Sequence, residues 1–291
     1  MTSPPSPAFS PLWSLPLWLI FLMVAAVFLL GHELGVQVRR RTSRGPAGEE
    51  ENNEGIGGNY LTASLTLLAL LVGFSFSMGV DRYNTRSHAV RDEANAISTT
   101  YRRLDTMTEP ERKTLGPSFM HYLEAREAFA SADTPDQIRA ADLRTDETQT
   151  QLWSTATHML AASDPSSRGV LDAINAMFNE AASRRAALEF VIPHTVLAAL
   201  LLYGAIAAAF LGYSHPISRR YFVASNIQFV LLAMAFALII DLDRPRTGLV
   251  EVSQAPLYRA TAFIRQAEKA RAASRSVRLA PSETGAVIGQ P

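Results

Sequence analysis

Two short charged motifs, each directly after a long apolar segment, contain the residues of this chain best suited to chemistry. Asp81-Arg82 follows one apolar segment, and Asp241-Leu242-Asp243-Arg244 follows the last one. Two carboxylates at such a spacing raise the question of a metal site or an aspartyl catalytic pair. Residues two positions apart on a helix point away from each other, so these carboxylates do not face one ion or share one proton. We therefore interpret a set of five residues as charges that form salt bridges at helix ends: Asp81, Arg82, Asp241, Asp243 and Arg244.

Composition and motifs argue against several classes of function. The chain has no cysteine, which excludes disulfides, thiolate catalysis and cysteine-based metal sites. It contains no GxSxG, HExxH or P-loop pattern, so we expect no enzyme, no metal and no cofactor. Its 27 basic and 27 acidic residues balance, which argues against a nucleic-acid partner. His194 is the one histidine, acidic or basic side chain inside an apolar segment, and we interpret it as an interfacial residue.

The apolar segment before Asp81 is the most polar of its kind in the chain. It runs from Leu61 to Val80, twenty residues without a charge, or about 30 Å as a helix, which is the thickness of a bilayer's hydrocarbon core. Its small and hydroxyl-bearing residues include Ser64, Thr66, Gly73, Ser75, Ser77 and Gly79. Such residues either let helices pack closely or line an aqueous path, and for Gly73 and Ser77 both interpretations stay open.

Four apolar segments of membrane-spanning length determine the fold class. They cover 12–30, 61–80, 190–213 and 221–240, and they predict an all-α membrane protein with four transmembrane helices. A helical soluble insert is predicted between the second and third spans. Three motifs, each with a capping residue ahead of a proline, predict helix starts in this insert: Thr108-Glu109-Pro110, Asp133-Thr134-Pro135 and Ser163-Asp164-Pro165. We interpret Asp92-Glu93 and Arg102-Arg103 as charges on a solvated or subunit-facing surface.

These segments divide the chain into five predicted regions. They are a disordered N-terminal tail at 1–11, a first transmembrane pair at 12–80 with a polar, flexible loop at 31–59, a helical soluble domain at 81–189, a second transmembrane pair at 190–240 and a C-terminal tail at 241–291. One amphipathic helix is predicted in the tail, at 257–273. The first and last helices of the insert are predicted to continue from the second span and into the third.

Several motifs resemble a known family. Gly73-Phe74 and the following Asp81-Arg82-Tyr83 resemble the second membrane helix of bestrophins. The order of two spans, a helical insert and two further spans is also similar. The run DEANAI at 92–97 and the later run DLDRPRTG followed by VSQ resemble bacterial bestrophin-like proteins of unknown function. The resemblance covers most of 60–257.

This resemblance implies a pentameric ion channel, since known bestrophins are pentamers and mostly anion-selective. It implies a hydrophobic neck made by Thr66, Leu70 and Phe74, whose spacing by four also places them along one stripe of a helix. The implied partners are the lipid bilayer, further copies of the chain and ions. The chain departs from the family in two places: Tyr83-Asn84 replaces paired tryptophans, and an acidic calcium-binding cluster is reduced to Asp241 and Asp243.

The predicted location is the cell membrane, as a multi-pass protein. The resemblance puts the helical domain in the cytoplasm, whereas the arginines of the 39–44 loop favour a cytoplasmic position for that loop. The alternative function is a membrane-anchored scaffold or sensor whose helical domain binds a partner.

Overall fold

A computed structural model describes residues 15–42, 50–160, 165–214 and 219–279 of the protein. Within this described part the chain is all-helical, without strands, which confirms the predicted all-α class. Its helices are α1 (Leu17–Thr42), α2 (Glu50–Leu104), α3 (Glu109–Ser131), α4 (Pro135–Met159), α5 (Pro165–Glu189), α6 (His194–Ser214), α7 (Arg219–Asp243) and α8 (Ala255–Leu279).

Among the residues that the structure describes, four helical stretches are long and apolar enough to cross a membrane, as predicted. They lie within Leu17–Thr42, Asn59–Leu104, Ser167–Ser214 and Arg220–Asp243. The chain divides into two compact units. The first comprises 1–88 and 185–252, and the second comprises 89–184 and 253–291.

The core of the first unit forms where α1, α6 and α7 meet. Phe28 of α1 is fully buried, and its ring centroid lies 5.5 Å from that of Phe236 on α7, in an edge-to-face arrangement. Glycines bring the backbones of α1 and α6 together, because a Cβ atom at Gly35 would overlap the carbonyl group of Ala209. Such close approach through small residues is typical of helices that pack in membranes.

The predicted polar loop at 31–59 is wrong over much of its length. Helix α1 continues to Thr42, and α2 begins at Glu50. The extension of α1 has a tertiary cause, since His32, Gly35 and Val36 are buried and continue the face of α1 that packs against its neighbours. At the C-terminal end of the predicted loop, residues from Glu50 onward extend α2, because adding residues to a helix that has already formed costs little free energy. The predicted tail at 1–11 and the end of the C-terminal tail lie outside the described residues, whereas the helix predicted in that tail is confirmed as α8.

The expected continuation of the insert's last helix into the third span is also wrong, because residues 190–193 separate α5 from α6. Pro193 causes the break, since it disfavours helical backbone at Ile192 and has no N–H to donate. The carbonyl oxygen of Pro193 accepts a hydrogen bond from the Val196 N–H at 2.9 Å, which starts α6. By contrast, α2 runs unbroken from Glu50 to Leu104. This confirms the prediction that the helix of the second span continues past Val80 into the insert.

The second unit contains α3 and α4, whose starts were predicted. Thr108 precedes α3, and its backbone N–H donates to the Glu111 carboxylate at 2.9 Å in a capping box. Thr134 precedes α4, and its hydroxyl oxygen accepts a hydrogen bond from the Gln137 N–H at 3.3 Å. Helix α5 begins at Pro165, while the predicted capping residues before it lie outside the described part.

Candidate functional site

The predicted neck residues lie on an exposed stripe of α2. Their spacing, together with that of Gly73 and Ser77, places all five within an arc of about 100° on a helix. All five are exposed, with Leu70 at 52% and Phe74 at 60% of their full accessible surface. A Cβ atom at Gly73 would find nothing within 4 Å. Within one copy of the chain, this face of α2 is therefore uncovered. We call it the α2 stripe: Thr66, Leu70, Gly73, Phe74 and Ser77.

The other side of α2 attaches it to the rest of the first unit. Leu68 is only 2% exposed, and Leu61 belongs to the buried cluster that α1, α6 and α7 form. The hydroxyl of Tyr203 on α6 donates to the Ser64 carbonyl oxygen at 3.1 Å. At Gly79, a Cβ atom would lie 3.3 Å from the Cβ atom of Leu242 on α7. Helix α2 is thus held by one face.

The apolar part of α2 is both the least buried and the most polar of the four candidate spans. Only 17% of its apolar window is buried, compared with 44%, 33% and 33% for the other three candidate spans. A helix with so much surface facing lipid should be the most apolar of the four, because hydrocarbon solvates polar groups poorly. Instead, α2 has the segment with the most hydroxyl and glycine residues. The uncovered face therefore suits contact with protein or water better than contact with lipid.

The helix-end charges gather where α7 ends, with the exception of Asp81. Both carboxylate oxygens of buried Asp243 accept a hydrogen bond from the Ile192 N–H at 3.0 Å. Asp243 Oδ1 lies 3.8 Å from Arg82 Nε. Arg86 Nη1 donates to the backbone carbonyl of Asp243 at 2.9 Å, and Nη2 donates to that of Leu242. Two arginines of α2 thus bind the C-terminal end of α7, where carbonyl groups lack helical partners.

Asp241 and Arg244 hold the chain just after α7 and just before α1, respectively. The Asp241 carboxylate accepts hydrogen bonds at 3.0 Å from the backbone N–H groups of Leu249 and Val250. Arg244 Nη2 donates to the carbonyl oxygen of Leu15, just before α1, at 2.6 Å. The carboxylates of Asp241 and Asp243 therefore both accept hydrogen bonds from backbone N–H groups. Asp81 is separate from this arrangement and exposed.

Sequence reasoning missed a charged centre in the second unit. Glu93 on α2 is fully buried, and its carboxylate pairs with the guanidinium groups of Arg126 on α3 and Arg184 on α5. Arg126 Nη1 also donates to Thr145 Oγ1 of α4 at 3.2 Å, and Arg184 donates to Gln254, which precedes α8. Through its two arginines, this carboxylate links α2, α3, α4 and α5 with the residue that precedes α8. The interpretation of Glu93 as a surface charge is wrong.

The environment of this centre favours the ionised forms of Glu93 and Arg126, whereas burial lowers the pKa of Arg184. Burial alone would raise the pKa of Glu93, but the two guanidinium groups lower it below its usual value. Burial alone would lower the pKa of Arg126, but Glu93 raises it. Both guanidinium groups lie over the Phe129 ring, 4.4 and 5.2 Å from its centroid. A sequence signal did exist, because Glu93 falls on the same helical face as the apolar residues Val90 and Ile97.

Comparison with known proteins identifies the family. No curated protein and no solved structure matches the chain. A family model described as a bestrophin-like domain matches residues 25–257, which is most of the chain and includes all four candidate spans from Ala25 onward. The chain is therefore a membrane protein that belongs to the bestrophin-like family.

Proposed function

We propose that copies of the chain assemble around a common axis and conduct ions passively along their α2 stripes. This proposal rests mainly on one observation: in the most polar of the candidate spans, the face with Thr66, Leu70 and Phe74 is exposed. A copy-to-copy arrangement would cover the flanks of this face and leave its centre on the axis. The family resemblance makes a pentamer the expected number of copies.

The side chains of the α2 stripe suit a constriction that opens by wetting. Leu70 and Phe74 from each copy would form two successive apolar rings, and water leaves a narrow apolar ring readily. The Thr66 hydroxyl donates to the Thr62 carbonyl oxygen of its own helix at 2.8 Å, so its proton is not available to an anion, whereas its oxygen can still accept. Gly73 and Ser77, beside Phe74, are small enough for neighbouring helices to approach.

We also propose that the protein crosses the membrane four times and that its helical domain lies in the cytoplasm. The four candidate spans support the number of crossings. An even number of crossings puts the two ends of the chain and the insert on one side. The family resemblance supports the cytoplasm as that side.

The experiment is ion flux into liposomes reconstituted with purified protein. Leu70→Ala combined with Phe74→Ala widens the proposed rings, and we expect it to raise flux. Leu70→Ser should also raise flux, because its hydroxyl can hold water in the ring. The matched controls are Leu202→Ala and Ile206→Ala on α6, which are similarly exposed apolar residues at 63% and 61% but are not on α2. These controls should leave flux at the wild-type level.

A membrane scaffold predicts a different result from the same variants. If the α2 stripe only packs against other copies, Ala at Leu70 and Phe74 would weaken assembly, since such truncations cost about 2–5 kcal/mol when the site is buried. No conductance would appear in that case. If wild type and widened variants are all silent while the protein remains assembled, the channel proposal is wrong.

A further inference from the structure

We infer that Asp81 makes the path along the α2 stripe selective for cations, an inference that rests on the proposed function. Asp81 follows Phe74 by seven residues and Ser77 by four, so it continues the same arc of α2. It is exposed, as the stripe is. Residues 55–80 carry no charge, which makes Asp81 the first charged residue that α2 presents beyond the neck. Along the helix it lies about 10 Å from Phe74.

The positive charges close to Asp81 are turned away from this face. The side chain of Arg82 is 20% exposed, and its Nε atom lies 3.8 Å from the buried carboxylate of Asp243. Arg86 is buried, and its guanidinium group binds the backbone carbonyls at the end of α7. The next arginine, Arg91, is ten residues beyond Asp81, about 15 Å along a helix, which exceeds the Debye length of about 8 Å in physiological salt.

Assembly would turn this single carboxylate into a ring. One Asp81 from each copy, next to a narrow apolar constriction, would give a negative potential at its mouth. Clefts with low-dielectric walls focus such a field, and rings of Asp or Glu are the typical filters of cation channels. The resemblance to known bestrophins implies mostly anion selectivity, and the position of Asp81 argues for the opposite preference in this chain.

The test is the reversal potential in planar bilayers that contain the reconstituted protein under a KCl gradient. For wild type we expect the sign of the potassium equilibrium potential. Asp81→Asn should abolish the preference, and Asp81→Arg should move the permeability ratio toward chloride by about tenfold or more, because several charges invert at once. The matched control is Asp136→Arg, which makes the same charge change at a 94% exposed carboxylate at the start of α4. It should leave the reversal potential unchanged.

Each outcome separates this inference from the proposed function. If wild type is silent, the same measurements are made with Leu70→Ala and Phe74→Ala present. A conducting protein that prefers chloride, or whose reversal potential ignores both Asp81 variants, overturns the inference and leaves the channel proposal intact. Silence of the assembled wild type and of the widened protein overturns both. Size-exclusion elution of each variant shows that it is assembled.

Discussion

Arg86 Nη1 on α2 lies 2.9 Å from the backbone carbonyl oxygen of Asp243, the last residue of α7. The same α7 end holds the Asp243 carboxylate, which is fully buried and shared between Arg82 and the Ile192 N–H. Helix α2 is thus attached to the end of α7 through Arg82 and Arg86, just beyond the α2 stripe. Changes at this anchor should therefore affect the stability of the first unit.

Replacing Asp243 by Ala should destabilise the protein strongly. The change removes a buried carboxylate, which leaves the Ile192 N–H without its acceptor and the Arg82 guanidinium group without its ion-pair partner and costs about 3–5 kcal/mol. The measurement is the thermal unfolding of helix in detergent. Asp81→Asn is the control, since Asp81 is an exposed carboxylate on α2 that lies apart from the Asp243 contacts, and such surface changes usually stay within about 0.5 kcal/mol. Equal melting temperatures for the two variants would show that the Asp243 contacts are not important.

Glu93→Gln should destabilise the second unit in a pH-dependent way. The change leaves Arg126 and Arg184 buried with a neutral partner, which costs about 3–5 kcal/mol near neutral pH. The pKa of Glu93 is lowered in the folded protein, so its stabilising effect is complete above the unfolded value of about 4.3. It is lost as the pH falls from that value through the lower folded pKa.

The measurement for Glu93 is the free energy of unfolding against pH, in detergent. The gap between wild type and Glu93→Gln should narrow as the pH falls below about 4. Glu147→Gln on α4 is the control, because Glu147 is exposed. Its free energy of unfolding should change with pH in the same way as that of wild type. A gap that is absent at neutral pH, or that widens in acid, would contradict the assignment of Glu93 as an ionised, buried partner.

Thr85→Pro should disrupt α2. Thr85 is exposed on α2, between the last apolar residues and the second unit, so its side chain contributes little and the backbone effect dominates. Proline in a helix interior costs about 3 kcal/mol or more. We expect loss of the assembled species in detergent, with Thr85→Ala eluting as wild type. A proline variant with an unchanged elution profile and melting curve would mean that α2 is not continuous here.

The continuity of α2 was predictable because its causes are local. No glycine or proline occurs between Val80 and Leu104, and the helix starts after Thr108 and Thr134 are encoded by capping residues next to prolines. The alignment of Leu70 and Phe74 along one stripe of α2 also follows from local spacing. Which face of α2 would be covered, however, depends on packing with α1, α6 and α7.

The features that sequence reasoning missed have distant causes. Helix α1 extends to Thr42 because Gly35 and its neighbours pack against α6, far along the chain. The carboxylate of Glu93 finds its partners 33 and 91 residues away, at Arg126 and Arg184. A charged residue is usually solvated, so a single sequence gives little reason to bury one.

Cysteine accessibility tests the proposed topology, and the chain has no native cysteine to interfere. Ser131→Cys at the end of α3 and Thr42→Cys at the end of α1 both introduce exposed positions. Under the four-span proposal they lie on opposite sides of the membrane. In intact cells a membrane-impermeant maleimide should label Thr42→Cys and spare Ser131→Cys. Labelling of both, or of Ser131→Cys alone, would contradict the proposed orientation.

The most direct test of the central claim asks whether the α2 stripe lines a path for ions. Cysteine is introduced singly at Leu70, Phe74 and Ser77, with Leu202 on α6 as the control, and each variant is reconstituted in liposomes. A charged, water-soluble methanethiosulfonate reagent is then added while ion flux is measured. We expect the reagent to change flux through the Phe74→Cys and Ser77→Cys variants and to leave the Leu202→Cys variant unaffected. Flux that responds equally at Leu202, or that ignores the reagent at every α2 position despite confirmed labelling, would contradict an ion path along α2.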